Sequence, residues 1–518
     1  MSLPAFIDAM LRPEFYSHRP REVTLVQSHI SYVLLAGDEV YKLKKPARFS
    51  FLDFSSLQQR RHFCHEEVRL NRRLAPDAYR GVVAICSHDG GYRLGDESDA
   101  GAVEYAVHMR RLPDDRMLDR LLERGAVTAE MIDAVVARLV AFHRAADCGA
   151  EVTANGDPAA IWRVLEENYD GVRPFRDVTI ACGDDDAIQS FAREFMARHD
   201  ALFRRRQAEQ RIRDCHGDLH SEHVCFADDG LVIYDCIEFN QRLRYCDVAS
   251  EIAFLAMDLD YHDRPDLAAH LIASYAAHAN DPELPRLAPF YQCYRAYVRG
   301  KVDSLKSVEG EVSEAGRAAA RTSAQRHFAL AYRYTWVEHA CVVAICGLSG
   351  SGKSTIAAAL RARTGFVHVN SDVVRKELAG IAANAPRSAA YDEGIYAAEQ
   401  SDATYRAMIE RARAALAAGQ GVIIDATFQR RRDRDGLRAL AAELRVPVHF
   451  VECQCSEEET RRRLDARGVN TPSDADWNVY VEQRRRFEAF AAEEARIMVD
   501  TSAALPDIVG AIEYALRR

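Results

Sequence analysis

Apolar positions along this chain follow two periods, and the way they alternate changes part-way. Between residues 23 and 44, VTLVQSHISYVLLAGDEVYKLK alternates with period two. That predicts two short strands around a turn at Gly37-Asp38. From about Ser55 to Leu74 the spacing becomes helical, with Phe63, Val68 and Leu70 on the apolar side. Two more strand-like runs, GVVAICSH and VEYAVHMRRL, flank the turn-rich DGGYRLGDESDAG. Helical periodicity then fills most of 115–205 and returns from about 247 to 335. Between those stretches lie a polar loop, CHGDLHSEHVCF from Cys215 to Phe226, and a hairpin with Asp229-Gly230 at its tip. Strands with one helix, followed by helices around a central loop and hairpin, predict a two-lobed α+β domain.

Near Trp336 to His339 the grammar changes. The runs CVVAICG, FVHVNSD, GVIIDAT, VPVHFVECQ and IMVDT read as buried strands separated by helices. That alternation predicts an α/β domain with a parallel sheet. The organisation expected is two domains, 1–338 and 339–518. A length of 518 residues with 48% apolar and 28% charged side chains suits two to four globular cores and excludes a disordered or fibrous chain. The N-terminus lacks a basic start followed by an apolar run, so no signal peptide is expected. The most apolar segment, VASEIAFLAMDL, is charged and too short to span a bilayer. No membrane association and a cytoplasmic location follow as expectations. Thirteen scattered cysteines read as reduced, buried thiols rather than a disulfide framework or a zinc cluster. Basic and acidic residues balance over 341–518, so the formal charge of −10 belongs to 1–340. An acidic first part suits a cationic substrate better than duplex nucleic acid.

GLSGSGKST, from Gly347 to Thr355, follows the first strand of the second domain and opens a helix. In a G-x-x-x-x-G-K-[ST] turn, Gly347, Ser349, Gly350, Ser351 and Gly352 let backbone N–H groups surround phosphate oxygens at a helix N-terminus. Lys353 would reach the β- and γ-phosphates, Ser354 would hold Mg²⁺, and Thr355 completes the motif. Asp372 and Arg375 stand one helical turn apart in NSDVVRKEL, which suits a base for an acceptor hydroxyl and a ligand for an acceptor phosphate. Asp425 ends the third strand, near the phosphates, as an acid that organises Mg²⁺. Arg463 and Arg467 suit a lid over the transferred group, and Arg430 to Arg432 are either acceptor contacts or a solvated face. Residues 341–518 resemble the small P-loop kinases that include polynucleotide 5′-hydroxyl kinases, gluconate kinases and zeta-type toxins. The resemblance rests on GLSGSGKST, on the SDxxR of Ser371 to Arg375 and on the DATF of Asp425 to Phe428. It implies general-base and acceptor-phosphate roles for Asp372 and Arg375. GLSGSGKST also occurs in adenylylsulfate kinases, but their DGDN is NSDV here. The acceptor is left open among a nucleic-acid end, a sugar and another small hydroxyl compound.

The first domain carries a different set. Asp218 in the polar loop and Asp235 after the hairpin are seventeen residues apart. Upstream, Lys42 on a strand suits nucleotide phosphates, and Glu67, or its neighbour Glu66, suits an ion pair with that lysine. Residues from about 20 to 330 resemble the aminoglycoside and choline phosphotransferases, which have the protein-kinase-like fold. HGDLH (His216 to His220), Asp235 and the RLRYCDVASE containing Asp247 carry this resemblance. It implies that Asp218 is the catalytic base, Asp235 the Mg²⁺ ligand and Asp247 the brace of the loop. VQSHISYVL stands where a glycine-rich phosphate cover would be, and His223 stands where the family has a metal-binding Asn. Three readings of His223 stay open: Asp235 holds the metal alone, the site takes a softer ion such as Mn²⁺, or the domain binds without transferring. The expectation is a bifunctional kinase using ATP and Mg²⁺, with Mn²⁺ as an alternative at the first site. The competing readings are a sensor domain controlling one active P-loop kinase, and an ATPase switch.

Overall fold

Gly37 and Asp38 reverse the chain so that Ala36 faces Glu39, and the same register sets Val33 opposite Lys42. This hairpin lies inside a six-stranded antiparallel sheet ordered Val23–Gln27, Ser31–Ala36, Glu39–Lys44, Ala102–Arg110, Tyr79–His88, Gly91–Gly95. The computed structural model describes residues 3–28, 30–49, 52–380, 398–466 and 476–518. The chain divides into two compact units, 1–331 and 332–518.

Two details of the sheet differ from the alternation pattern. Residues 23–44 form three strands rather than two, because the chain also reverses after Gln27, where Ser28 Oγ accepts the Ser31 N–H at 3.1 Å. The turn-rich segment after His88 holds an edge strand, Gly91–Gly95. An edge strand pairs on one side only and needs no continuous apolar run.

Helix Leu57–Asn71 packs on this sheet and opens with a reciprocal cap between Ser56 and Gln59. Val68 and Leu70 are buried as expected, but Phe63 is only half-buried. The stripe that faces inward also includes Arg60, Cys64, Glu67 and Asn71, spaced for one helix face yet polar. Arg60 meets Glu104 at 2.9 Å, so this stripe is a set of partners rather than an oily seam.

The second lobe of the first unit is built around helix Val248–Tyr261, buried continuously from Val248 to Leu259. A helix apolar on every side belongs at the centre of other helices, and this one packs against Pro265–His278 and Leu284–Lys306. Among the described residues no helix is long and apolar enough to cross a membrane. All thirteen cysteines are free thiols.

The second unit is a five-stranded parallel sheet ordered Val367–Asn370, Val422–Asp425, Val342–Cys346, Val448–Gln454, Ile497–Asp500. Each strand lies in one of the five apolar runs, and the central Val342–Cys346, buried at every position, writes an uninterrupted apolar word. Helix Lys353–Thr364 leaves the C-terminal end of the central strand.

One buried charge cluster locks the helical lobe. Arg206 bonds both Asp247 oxygens, at 2.6 and 2.7 Å, and both Asp281 oxygens, at 2.7 and 2.9 Å, with all three side chains at most 2% exposed. Removing the guanidinium strands two carboxylates in a dry interior. Arg206→Ala is expected to lose roughly 3–5 kcal/mol of stability in this lobe, read as lowered hydrogen-exchange protection along Val248–Tyr261.

Candidate functional site

Alternation along strand Glu39–Lys44 points Lys42 and Lys44 to the same face. Both reach Glu67, which is fully buried: Lys42 Nζ lies 2.9 Å from Oε1 and Lys44 Nζ 2.8 Å from Oε2. Lys42 also meets Asp235 Oδ1 at 2.5 Å, and Lys44 bonds Glu238. Glu66 instead pairs with Arg69 on the surface. Burial disfavours the Lys42 ammonium, but Asp235, Glu67 and Glu238 outweigh it and hold its pKa well above the usual lysine value. Asp235 is likewise pushed up by burial and pulled further down by Lys42 and His223, so its carboxylate stays ionised.

Asp235 has a left-handed backbone, φ 65°, which costs about 1–3 kcal/mol for a side chain of its kind. Its N–H donates to Tyr79 Oη at 3.2 Å, and the next N–H, of Cys236, donates to Asn71 Oδ1 at 2.8 Å. The helix that presents Glu67 to Lys42 thus also fixes the turn that presents Asp235.

The polar loop is held from below by Glu251. Its carboxylate accepts the N–H groups of His216 (3.0 and 2.8 Å) and Gly217 (2.8 Å) and a bond from His143 Nε2 at 2.9 Å. Asp247, matched to the brace by resemblance, does not reach these amides: its oxygens go to Arg206 and to the Ala249 N–H at its own helix start. The brace lies one helical turn further on. Arg295 Nη1 adds a bond to Gly217 O at 3.0 Å. Gly217 has φ 88°, and a Cβ there would sit 3.0 Å from Leu243 O, so any other residue would be strained.

Asp218 projects beside two imidazoles, with His220 Nε2 at 3.6 Å and His223 Nδ1 at 3.7 Å. Burial raises its pKa, but His220, His223 and Arg299 together hold it far below the ordinary carboxylate range. His223 Nδ1 lies 2.8 Å from the Asp218 carbonyl oxygen, which can only accept, so Nδ1 carries the proton. Its Nε2 then faces Asp235 Oδ2 at 3.6 Å. Lys42, Glu67, Asp235, His223 and Asp218 form one connected constellation.

In the second unit, Gly347 has φ 141°, and a Cβ there would meet Cys453 O at 2.8 Å and Ser351 Oγ at 2.7 Å. The turn can therefore be this tight only with glycine. Lys353 Nζ donates to Leu348 O at 2.8 Å, and the Ser349 N–H donates to Gln483 Oε1 at 2.9 Å. Gln483, on helix Trp477–Arg486, carries no sequence signal for this role. Asp425 is buried and accepts from Asn370 Nδ2 at 2.7 Å, with His368 Nε2 at 3.7 Å. Burial raises its pKa, but His368, Lys353 and Ser354 lower it further. Ser354 and Thr355 are exposed at the start of the helix. Asp372 and Arg375 bond each other at 2.6 Å, beside the Asn370 cap. Arg463 is tied to Thr501 O and Oγ1, both at 2.9 Å, and to Glu459 at 2.7 Å; a Cβ on Gly352 would lie 3.2 Å from its Nη1. Arg467 lies outside the described residues. Arg430, Arg431 and Arg432 pair with Asp433, Glu493 and Asp402.

Both sets of residues fit a nucleotide and a divalent ion. Ser351 Oγ is buried inside the glycine turn with no partner among the described residues, and Lys353 stands at the start of the following helix. In the first unit Lys42 meets Asp235 through Oδ1, and among the described residues the second oxygen takes no hydrogen bond.

Two family models match, one in each unit. Residues 36–290 match the family model described as phosphotransferase enzyme family, and residues 342–490 match one described as AAA domain. Fold and constellations define an ATP-dependent kinase with a phosphotransferase-family unit followed by a P-loop kinase unit. Proteins of Mycobacterium tuberculosis (strains H37Rv and CDC 1551) and Mycobacterium bovis, each described as an uncharacterized protein, are 30% identical over 453 residues, 87% of either chain. The chain belongs to the family of these mycobacterial proteins. Among solved structures, a gluconokinase from Sinorhizobium meliloti is 24% identical (35% of this chain, 93% of that one, TM-score 0.27). A sugar kinase from Janibacter is 23% identical (34% and 93%, TM-score 0.26).

The role of Glu251 has a pH signature. Burial raises its pKa, but the bonds from His143 and the loop amides more than offset this and hold it at about 2. Stability from a carboxylate with a depressed pKa is complete above the unfolded value, roughly 4.3, and is lost as pH falls toward about 2. Amide protection at His216 and Gly217 should fall across that acid window. Glu251→Gln should show weaker protection throughout and no such acid step, measured by hydrogen exchange.

Proposed function

We propose that this protein is a bifunctional phosphotransferase of the cytoplasm, with domains 1–338 and 339–518 each transferring the γ-phosphoryl of ATP to a hydroxyl acceptor. The observation that carries the reading is Lys42 held between Glu67 and Asp235, with Asp218 joined to them across His223. A sensor domain has no need of an anionic Asp218 beside that set. In the first domain Lys42 positions the nucleotide phosphates. Asp218 accepts the hydroxyl proton as that oxygen bonds to the γ-phosphorus and the bond to the leaving ADP oxygen breaks. The divalent ion, Mg²⁺ or Mn²⁺, supplies charge neutralisation for the phosphates when bound, and Asp235 and His223 are the residues that would hold it.

In the second domain Gly347 to Thr355 and Arg463 cradle the nucleotide, and Ser354 with Asp425 would hold Mg²⁺. Asp372 acts as base, and Arg375 binds an acceptor phosphate in exchange for its present bond to Asp372. Small hydroxyl compounds are the proposed acceptors of both domains, with a nucleic-acid 5′ end as a further acceptor class for the second.

Full-length Asp218→Ala and Lys353→Met variants, given labelled ATP with metabolite and oligonucleotide panels, test this. Each should reduce its own set of phosphorylated products by about 10²–10⁴-fold and spare the other set. If Lys353→Met abolishes every product while Asp218→Ala abolishes none, the first domain is a sensor. Undiminished ATP turnover in Asp372→Asn, with no acceptor phosphorylated, would make the second domain a switch.

A further inference from the structure

We infer that His223 is a direct metal ligand, forming with Asp235 a nitrogen–oxygen pair that makes the first unit's site prefer Mn²⁺ to Mg²⁺. The inference rests on the phosphotransferase reading for a divalent ion held at Asp235 and His223. It deepens that reading by arguing direct ligation through the imidazole nitrogen from the geometry and by giving the site an ion preference.

Four observations lead to it. The His223 Nδ1 proton is committed to the Asp218 carbonyl at 2.8 Å, so in the neutral ring the lone pair is on Nε2. That Nε2 has no hydrogen-bond partner among the described residues, and its 3.6 Å to Asp235 Oδ2 is too long for one. Lys42 engages Asp235 through Oδ1, which leaves Oδ2 as the oxygen facing the imidazole. Finally, the ring is wedged between His220 and Tyr234, with centroids at 4.1 and 5.7 Å, so its orientation is set by packing.

Each donor is thus aimed by a partner on its far side, the arrangement that orients metal ligands. Donor atoms that share one cation lie roughly 3.0 Å apart at right angles and roughly 3.4 Å apart at tetrahedral angles, for bonds of about 2.1 Å. A separation of 3.6 Å is close to those values. A purely structural His223 would account for the Nδ1 bond but not for an Nε2 directed at the Asp235 oxygen that Lys42 leaves free.

The donor types then determine the ion. Mg²⁺ asks for oxygen ligands and gives up water reluctantly, so an imidazole nitrogen favours a first-row transition ion over it, and among those Mn²⁺ is the one that suits carboxylate oxygens as Mg²⁺ does. An Asn at this position would offer an amide oxygen instead, and with it a Mg²⁺ site.

The test uses full-length protein with Mn²⁺ alone, without nucleotide. Bound Mn²⁺ is followed by electron paramagnetic resonance, with spin-echo modulation reporting directly coordinated ¹⁴N. The native protein should show histidine ¹⁴N coupling. His223→Asn should lose it and lower the ratio of Mn²⁺ to Mg²⁺ affinity roughly tenfold. His368→Asn, which removes the imidazole beside Asp425 in the other unit, should retain the coupling. Asp235→Asn, nearly isosteric, should weaken Mn²⁺ binding and serves as a second variant should His223→Asn fold poorly. The proposal is overturned if the native protein binds no Mn²⁺ or binds it without ¹⁴N coupling. It is equally overturned if the coupling survives in His223→Asn or the affinity ratio does not move. None of these readouts involves turnover, so a first unit that fails to transfer phosphate leaves this result standing.

Discussion

A carboxylate taken out of water must be paired, and in the first unit the fully buried Glu67 is paired twice. Its two lysines come from one strand, and those lysines go on to Asp235 and Glu238. Three stretches far apart in sequence are therefore drawn together by one requirement. An unpaired ion left inside costs several kcal/mol, so the strand, the helix and the segment after the hairpin cannot separate independently. The arrangement has a directional result. Lys42 remains charged and Asp235 remains anionic, with one of its oxygens engaged and the other facing His223.

The polar loop obeys the same rule through a second carboxylate. Glu251 sits on the most deeply buried helix of the unit and gathers the two amides that precede Asp218. The loop is thereby attached to the core rather than left to its own turn preferences. Asp247 and Arg206 do separate work at the start of that helix, joining it to Asp281. Because charged residues near a helix start look alike in sequence, only the contacts distinguish the brace from the lock.

The second unit reaches a phosphate-binding geometry by a different route. Its donors are backbone amides in a glycine turn at the end of the central parallel strand, where such folds leave a crevice. Within that turn Lys353 bonds Leu348 O and the Ser349 N–H bonds Gln483. The arginine run Arg430 to Arg432 is neutralised by neighbouring acids. Of the two sequence readings of this run, acceptor contacts or a solvated face, the ion pairs with Asp433, Glu493 and Asp402 favour the solvated face.

The sequence by itself determined the two-unit plan, the parallel sheet and the glycine turn, since these follow from local periodicity and from conformations that only particular residues adopt. It also named Lys42, Glu67, Asp218 and Asp235, because each belongs to a short pattern at a fixed place in chain order. Tertiary structure decided the rest. The polar stripe Arg60, Cys64, Glu67 and Asn71 broke the apolar reading of its helix, because its burial is justified by partners elsewhere in the chain. The choice of Glu251 over Asp247, the aim of the His223 lone pair and the role of Gln483 depend on which atoms meet in space. Hydrogen bonds and ion pairs are directional and act over about 3 Å, and a linear pattern of residue types carries no information on that scale.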